Sequence, residues 1–255
     1  MNEFSLDDIR RFRADGLVIV RGMADEATRA AILQAARTDL AAGIGPIEYE
    51  AELRYPGSPD SLDAPGGLTA RRLLRATARH AVFREWALSA PVSRRLHQLM
   101  GPQVALVQAH HNCVMTKQPR YSSVTGWHQD IRYWSFERGE LVSVWLALGP
   151  ETPQNGCLSF IPGSHLLQID RPRLDEALFL REDVPDNQTL IARRVTPLLS
   201  AGDVVFFHCR TFHSAGANRT DETKFSLVFT YHRLDDPPLP QTRSSSLPSV
   251  PVPPA

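Results

Sequence analysis

Trp127-His128-Gln129-Asp130 places an imidazole and a carboxylate two residues apart, and the reading of the whole chain turns on it. In an extended strand, side chains alternate faces, so His128 and Asp130 point the same way. Joined by a distant imidazole, they make a 2-His-1-carboxylate set. Such a set covers one face of an octahedral metal and leaves the opposite positions open, the arrangement of non-haem Fe(II) oxygenases. The pair alone is equally compatible with a surface histidine and aspartate beside a strand. The third ligand and the surrounding pattern decide between the two.

Strand patterns surround the pair. From Val104 to Cys113 apolar and polar residues alternate; Leu141–Leu148, Gly156–Ile161, Asp203–Phe207 and Phe225–Tyr231 are further β runs separated by Gly/Pro turns. Many short strands of this kind predict an all-β sandwich or barrel. A β scaffold of this type gathers ligands far apart in sequence at its mouth. His213 follows the Asp203–Phe207 run, in the small-residue turn His-Ser-Ala-Gly-Ala-Asn, and is the candidate third ligand; His208 is its rival. His110, His111, His165 and His232 also lie near strands, where a lone histidine is more often a satisfied polar residue than a ligand. Imidazole and carboxylate hold Fe(II), whereas thiolate favours zinc or clusters. Three open positions accommodate a bidentate 2-oxo acid and O2, and decarboxylation of the oxo acid supplies the oxidant that removes a substrate hydrogen.

The sequence before residue 103 reads as helical. Ser5 caps a helix to Ala14, with Asp7 and Asp8 in its first turn; Leu17–Val20 is a strand; Asp25 caps a helix to about Ala42. Residues 43–68, rich in Gly, Pro and Asp with Tyr49 and Tyr55, read as a long loop, a substrate lid or a mobile surface segment. Residues 69–100 read as two helices split at Pro91, carrying Arg71, Arg72, Arg75, Arg79, Arg84, Arg94 and Arg95 either on a solvated face or as a surface for an anionic substrate or cosubstrate. Residues 166–195 are a second candidate lid. The Pro/Ser-rich stretch from Pro237 reads as extended and loosely held. The expected organisation is one domain over 1–255, with a helical part to about 102, a β core over about 103–235 and a tail over 236–255.

The chain has 255 residues, 42% of them apolar, and 28 basic against 28 acidic side chains. That balance points to neither nucleic acid nor a membrane surface. Cys113, Cys157 and Cys209 have no metal-site spacing and read as reduced thiols of a cytoplasmic protein. MNEFSLDDIRRF has no apolar core of a signal peptide, and there is no run of about 18 apolar residues and no internal repeat.

Four segments, FRADGLVIVRG, WHQDIRYW, NGCLSFIPGSH and GDVVFFHCRTFHSAGAN, together resemble the phytanoyl-CoA dioxygenase family of Fe(II)- and 2-oxoglutarate-dependent oxygenases, across about residues 5–235. The resemblance implies a double-stranded β-helix, or jelly roll, with helices outside it. It implies metal ligands at His128, Asp130 and His213, with Fe(II), 2-oxoglutarate and O2 as cofactors. Where the family has an arginine for the far carboxylate of 2-oxoglutarate this chain has Lys224, a point charge instead of a bidentate fork; Arg219 is the second candidate. Where the family has a hydroxyl two residues beyond the distal histidine this chain has Ala215, with Ser214 adjacent. Trp145 matches a tryptophan beside the cosubstrate, and Gln108 and His110 are expected to line the pocket. Halogenating relatives lack the carboxylate present here as Asp130, which favours hydroxylation or another C–H oxidation of a small molecule; a monomer or homodimer is expected. The alternatives are a jelly-roll binding protein that lost catalysis and a metal-dependent dioxygenase that uses no 2-oxo acid.

Overall fold

In a computed structural model, residues 3–254 are described. The chain opens with α1 (Leu6–Asp15), β1 (Leu17–Val20) and α2 (Glu26–Ala41), then β2 (Ile47–Tyr49), α3 (Glu50–Leu53) and β3 (Ala70–Leu74). Three helices follow, α4 (Ala76–Arg79), α5 (Ala81–Ala87) and α6 (Ala90–Met100), before β4 (Val104–Leu106), β5 (Asn112–Lys117) and β6 (Thr125–His128). The rest is β7 (Val142–Ala147), β8 (Leu158–Phe160), α7 (Pro185–Ala192), β9 (Val204–His208), β10 (His213–Ala215), β11 (Lys224–Arg233) and β12 (Val250–Pro251).

The strands form two sheets. The larger runs β1-β9-β7-β11-β5-β3-β2, with β4 on the far half of β11 and β12 on β4; the smaller is β6-β10-β8. This is the expected double-stranded β-helix. Alternation sorts the side chains of the large sheet. Leu73, Val114, Val144, Leu146, Phe206, Leu227 and Phe229 face outward and pack with Phe12, Ile32, Phe83, Trp86 and Leu96 from the helices. Cys113, Trp145, Ala147, Val205, Phe207 and Val228 face inward with Leu158 and Phe160 of the small sheet. The space between the sheets holds the site.

Three expectations are corrected. Residues 70–74 are a strand, not a helix, and Arg71 and Arg72 are buried, at 2% and 5% exposure, not solvated. The reason is long-range pairing: Arg71 Nη1 lies 3.1 Å from Glu50 and Arg72 Nη1 3.1 Å from Glu48, both acids coming from the segment read as a loop. A paired charge can occupy a strand interior that an unpaired one cannot. The helix break lies before Pro91, which sits inside the first turn of α6, where its missing N–H costs nothing. The tail is not loose either. Val250–Pro251 extend the sheet, Val252 is buried, and Ser93 Oγ donates to Pro253 O.

Candidate metal and cosubstrate site

His128 ends β6 and His213 starts β10, and the antiparallel register of those strands sets the two residues directly opposite each other. Asp130 follows at the start of a 3-10 turn, Asp130–Tyr133. The ligand-capable atoms of His128, Asp130 and His213 all lie within 4.8 Å of one another, and all three residues are buried. Asp130 Oδ1 is 3.6 Å from His128 Nε2 and 3.5 Å from His213 Nε2. The opposite ring nitrogens are engaged elsewhere: His128 Nδ1 is 2.9 Å from Gly126 O and His213 Nδ1 3.0 Å from Thr211 O. A carbonyl accepts only, so each Nδ1 carries the proton and each Nε2 presents a lone pair to the common centre, the usual arrangement of metal-binding histidines. The donor set and its convergence fit a divalent iron.

The loop that carries His213 is anchored from the N-terminus. Gly16, in the left-handed conformation (φ 77°) that ends α1, turns its carbonyl to accept from both His208 N (2.8 Å) and Thr211 Oγ1 (2.9 Å). A side chain at Gly16 would collide with Thr211 and His165, so the residue must be glycine for two reasons. His208, the rival ligand, instead faces Glu140 at 3.0 Å outside the triad.

Electrostatics around the triad follow from burial and from the single carboxylate. Burial, reinforced by His213, pushes the His128 imidazole down to about 4. Burial works against the Asp130 carboxylate, but the neighbouring His111 and His213 outweigh it and hold Asp130 well below the usual carboxylate range. Burial also opposes a charge on His213, and the contact with Asp130 overcomes it and raises that imidazole.

Lys224, Trp145 and Ser214 line the cavity that the triad opens into, together with Arg71, Arg72, His111, Met115, Lys117, Ala215 and Val228. Lys224 stands opposite Lys117 across the β5–β11 ladder. Its ammonium is already engaged, 3.2 Å from Glu151 Oε2. Trp145 Nε1 and Ser226 Oγ donate to Glu151 Oε1 at 2.9 and 2.6 Å, which completes a fully buried network. Lys117 donates to Ser123 O, and among the described residues it has no carboxylate within ion-pair distance. Burial, with Arg71 adding to it, holds its ammonium well below the usual lysine range.

The remaining expected residues lie elsewhere. Gln108 donates to Pro248 O, and Gln108 and His110 line a separate cavity with Arg75 and Arg243. The alternation itself holds across the interruption after Leu106, but Val104, Leu106 and Val114 pack on the helix-covered face while Cys113 and Met115 face inward, so the even-numbered positions are not the ones that face the cavity. Arg219 is exposed, its backbone N–H donating to Gln154 O. Sequence reasoning left Arg71 and Arg72 open between a solvated face and an anion-binding surface, and gave no site role to Lys117 or to His111, the residue beside Asp130. Over the other side of His128 the two candidate lids meet: Phe179 packs on His128 (5.5 Å between ring centres) and on Tyr55 (5.5 Å), and Tyr55 Oη is 3.3 Å from Tyr133 Oη. No helix among the described residues is long and apolar enough to cross a membrane.

The family model described as Phytanoyl-CoA dioxygenase (PhyH) matches residues 12–226. A probable phytanoyl-CoA dioxygenase of Caenorhabditis elegans is 29% identical over 145 residues, which cover 54% of this chain and 46% of the relative. L-proline trans-4-hydroxylase of Streptomyces griseoviridis is 30% identical over 183 residues, 61% of this chain and 66% of that protein. The chain thus spans about half the length of the nematode dioxygenase. Among solved structures, the epimerase SnoN in complex with Fe3+, alpha ketoglutarate and nogalamycin RO superposes with a TM-score of 0.74 at 27% identity, covering 96% of this chain and 93% of SnoN. EctD from S. alaskensis with 2-oxoglutarate and 5-hydroxyectoine reaches a TM-score of 0.74 at 21% identity, covering 92% and 78%, a likeness of fold.

Proposed function

This chain belongs to the phytanoyl-CoA dioxygenase family, and from that membership we propose that it is an Fe(II)- and 2-oxoglutarate-dependent oxygenase that hydroxylates an unactivated C–H bond of a small organic molecule, releasing succinate and CO2. The observation that carries the reading is the convergence of His128, Asp130 and His213 at the mouth of the cavity. In this reading those three residues hold the iron, which when bound supplies the oxidising chemistry. The chain's own contribution is orientation and exclusion. Gly126 O and Thr211 O fix the imidazole tautomers. Lys224 supplies positive charge for the far carboxylate of 2-oxoglutarate, beside Trp145. Tyr55 and Phe179, from the two lids, cover His128 and keep bulk water from the reacting centre. That the three cysteines are free and buried is consistent with a cytoplasmic enzyme.

A second reading, a metal-dependent dioxygenase that uses no 2-oxo acid, is favoured by one observation: Glu151 already occupies Lys224. One experiment separates the two. Fe(II) and then 2-oxoglutarate are added anaerobically to metal-free protein. The expected result is the visible charge-transfer band of a chelated 2-oxo acid, present in the wild type and lost in Asp130→Ala. Iron binding with no band would sink the 2-oxoglutarate reading and leave the second; no iron binding would sink both.

A further inference from the structure

The two oxygens of Asp130 have different surroundings. Oδ1 faces the Nε2 atoms of His128 and His213 at 3.6 and 3.5 Å. Oδ2 lies 3.3 Å from His111 Nδ1 and 3.5 Å from Ser143 Oγ. His111 is buried, and its Nδ1 has no hydrogen-bond partner of standard geometry; Asp130 Oδ2 is the acceptor within reach. The ring is wedged among His110, Tyr133 and Trp134, with ring centres 4.4, 5.5 and 5.7 Å away. The backbone of His111 is in the left-handed region (φ 39°), rarely adopted by a residue with a side chain, and such strain persists where the surroundings over-determine it. Next to it, Asn112 is held by two hydrogen bonds to Thr77, each 2.9 Å, which fixes the turn from the other side.

We propose that His111 is a positioning residue for the metal: with Ser143 it holds Oδ2 of Asp130, so that the carboxylate offers the iron Oδ1 alone. A carboxylate free to turn both oxygens inward would take up one of the positions that the open face must keep for cosubstrate and O2. Partners that hold a ligating group in this way change metal affinity by about ten- to a hundred-fold when removed. The inference rests on the triad reading above, and the experiment keeps the two apart.

The test is Fe(II) affinity, measured anaerobically by competition with a coloured chelator, and the melting temperature of each metal-free variant. His111→Phe keeps the ring and its packing but loses the donor; His111→Gln keeps a donor. The expected result is that His111→Phe binds Fe(II) about ten-fold or more weaker while melting like the wild type, that His111→Gln recovers most of the loss, and that Ser143→Ala loses a few-fold. A folded His111→Phe within two-fold of the wild type overturns the proposal, as does a folded His111→Gln as weak as His111→Phe. Should His111→Phe not fold, a folded His111→Gln decides: near-wild-type affinity supports the role, and a ten-fold loss overturns it. Asp130→Ala is the control for the triad. If it binds iron as the wild type does, the triad reading falls and this one with it; if it loses iron while His111→Phe does not, only the role of His111 falls.

Discussion

Glu151→Gln removes one charge from the most closed part of the cavity wall. Glu151 is fully buried and receives Trp145 Nε1, Ser226 Oγ and the Lys224 ammonium. Glutamine keeps an acceptor for Trp145 and Ser226, but its NH2 group cannot accept from Lys224. The Lys224 side chain, 4% exposed, is left with Ser226 Oγ at 3.3 Å and the Trp145 ring at 5.2 Å. Leaving one member of a buried ion pair unpaired costs about 3–5 kcal/mol, and a desolvated cation–π contact returns up to about 2. A net loss of about 1–5 kcal/mol in a chain of this size is a fall in melting temperature of roughly 2–20 °C. The substituted protein also has a free cation where the wild type has a neutralised one. A dianionic 2-oxo acid added with metal should therefore raise the melting temperature of Glu151→Gln by more than it raises that of the wild type, since stabilisation grows with affinity. Glu151→Gln combined with Lys224→Met should recover most of the lost stability, because it removes the orphaned charge. Scanning calorimetry of the metal-free proteins, then of the loaded ones under argon, reads all of this. A fall below 2 °C, or a double substitution whose loss is the sum of the two single losses, would show that the Glu151–Lys224 pair is not the coupled unit described.

Three further outcomes are expected. Gly156→Ala should lower stability by about 1–3 kcal/mol, because Gly156 is left-handed (φ 75°) and an added Cβ would meet the carbonyl of Gly216 beside β10; chemical denaturation checks it, and an unchanged midpoint contradicts it. Lys117→Met should be more stable than the wild type at pH 7, with the gap narrowing by pH 9.5: burial lowers this ammonium in the folded protein, so between that lowered value and about 10.4 the unfolded chain holds the extra proton and wild-type stability rises with pH. Equal gaps at both pH values would refute the sign. Truncation after Asp236 should destabilise the chain by more than about 1.5 kcal/mol, since it removes buried Val252 and strand β12 from the edge of β4; a melt that matches the full chain would mean the tail is only laid on the surface.

What the sequence made legible, and what it did not, separates by the range of the forces involved. The Ser5 cap of α1 and the β runs of the core are written in neighbouring residues and stand where those residues predict them, whereas His213–Ala215, read as part of a small-residue turn, is strand β10, formed by pairing with β6 and β8. The triad was legible because its chemistry is unusual for a strand, even though His128 and His213 meet only through the β6–β10 register. Arg71 and Arg72 were not, because nothing local distinguishes a guanidinium bound for solvent from one bound for Glu50 and Glu48 more than twenty residues away. The same holds for Lys224: the departure from the family's arginine was visible, but its partner Glu151 lies 73 residues distant and is buried by the fold itself. His111 escaped for a different reason. The periodic reading gave the even-numbered positions of 104–113 to the cavity, whereas Val104, Leu106 and Val114 pack on the helix-covered face and Cys113 and Met115 face inward, so it is odd-numbered His111 that meets Asp130. Choosing the wrong one of a strand's two faces misassigns every position at once, so His111, the residue beside Asp130, was assigned to the wrong side.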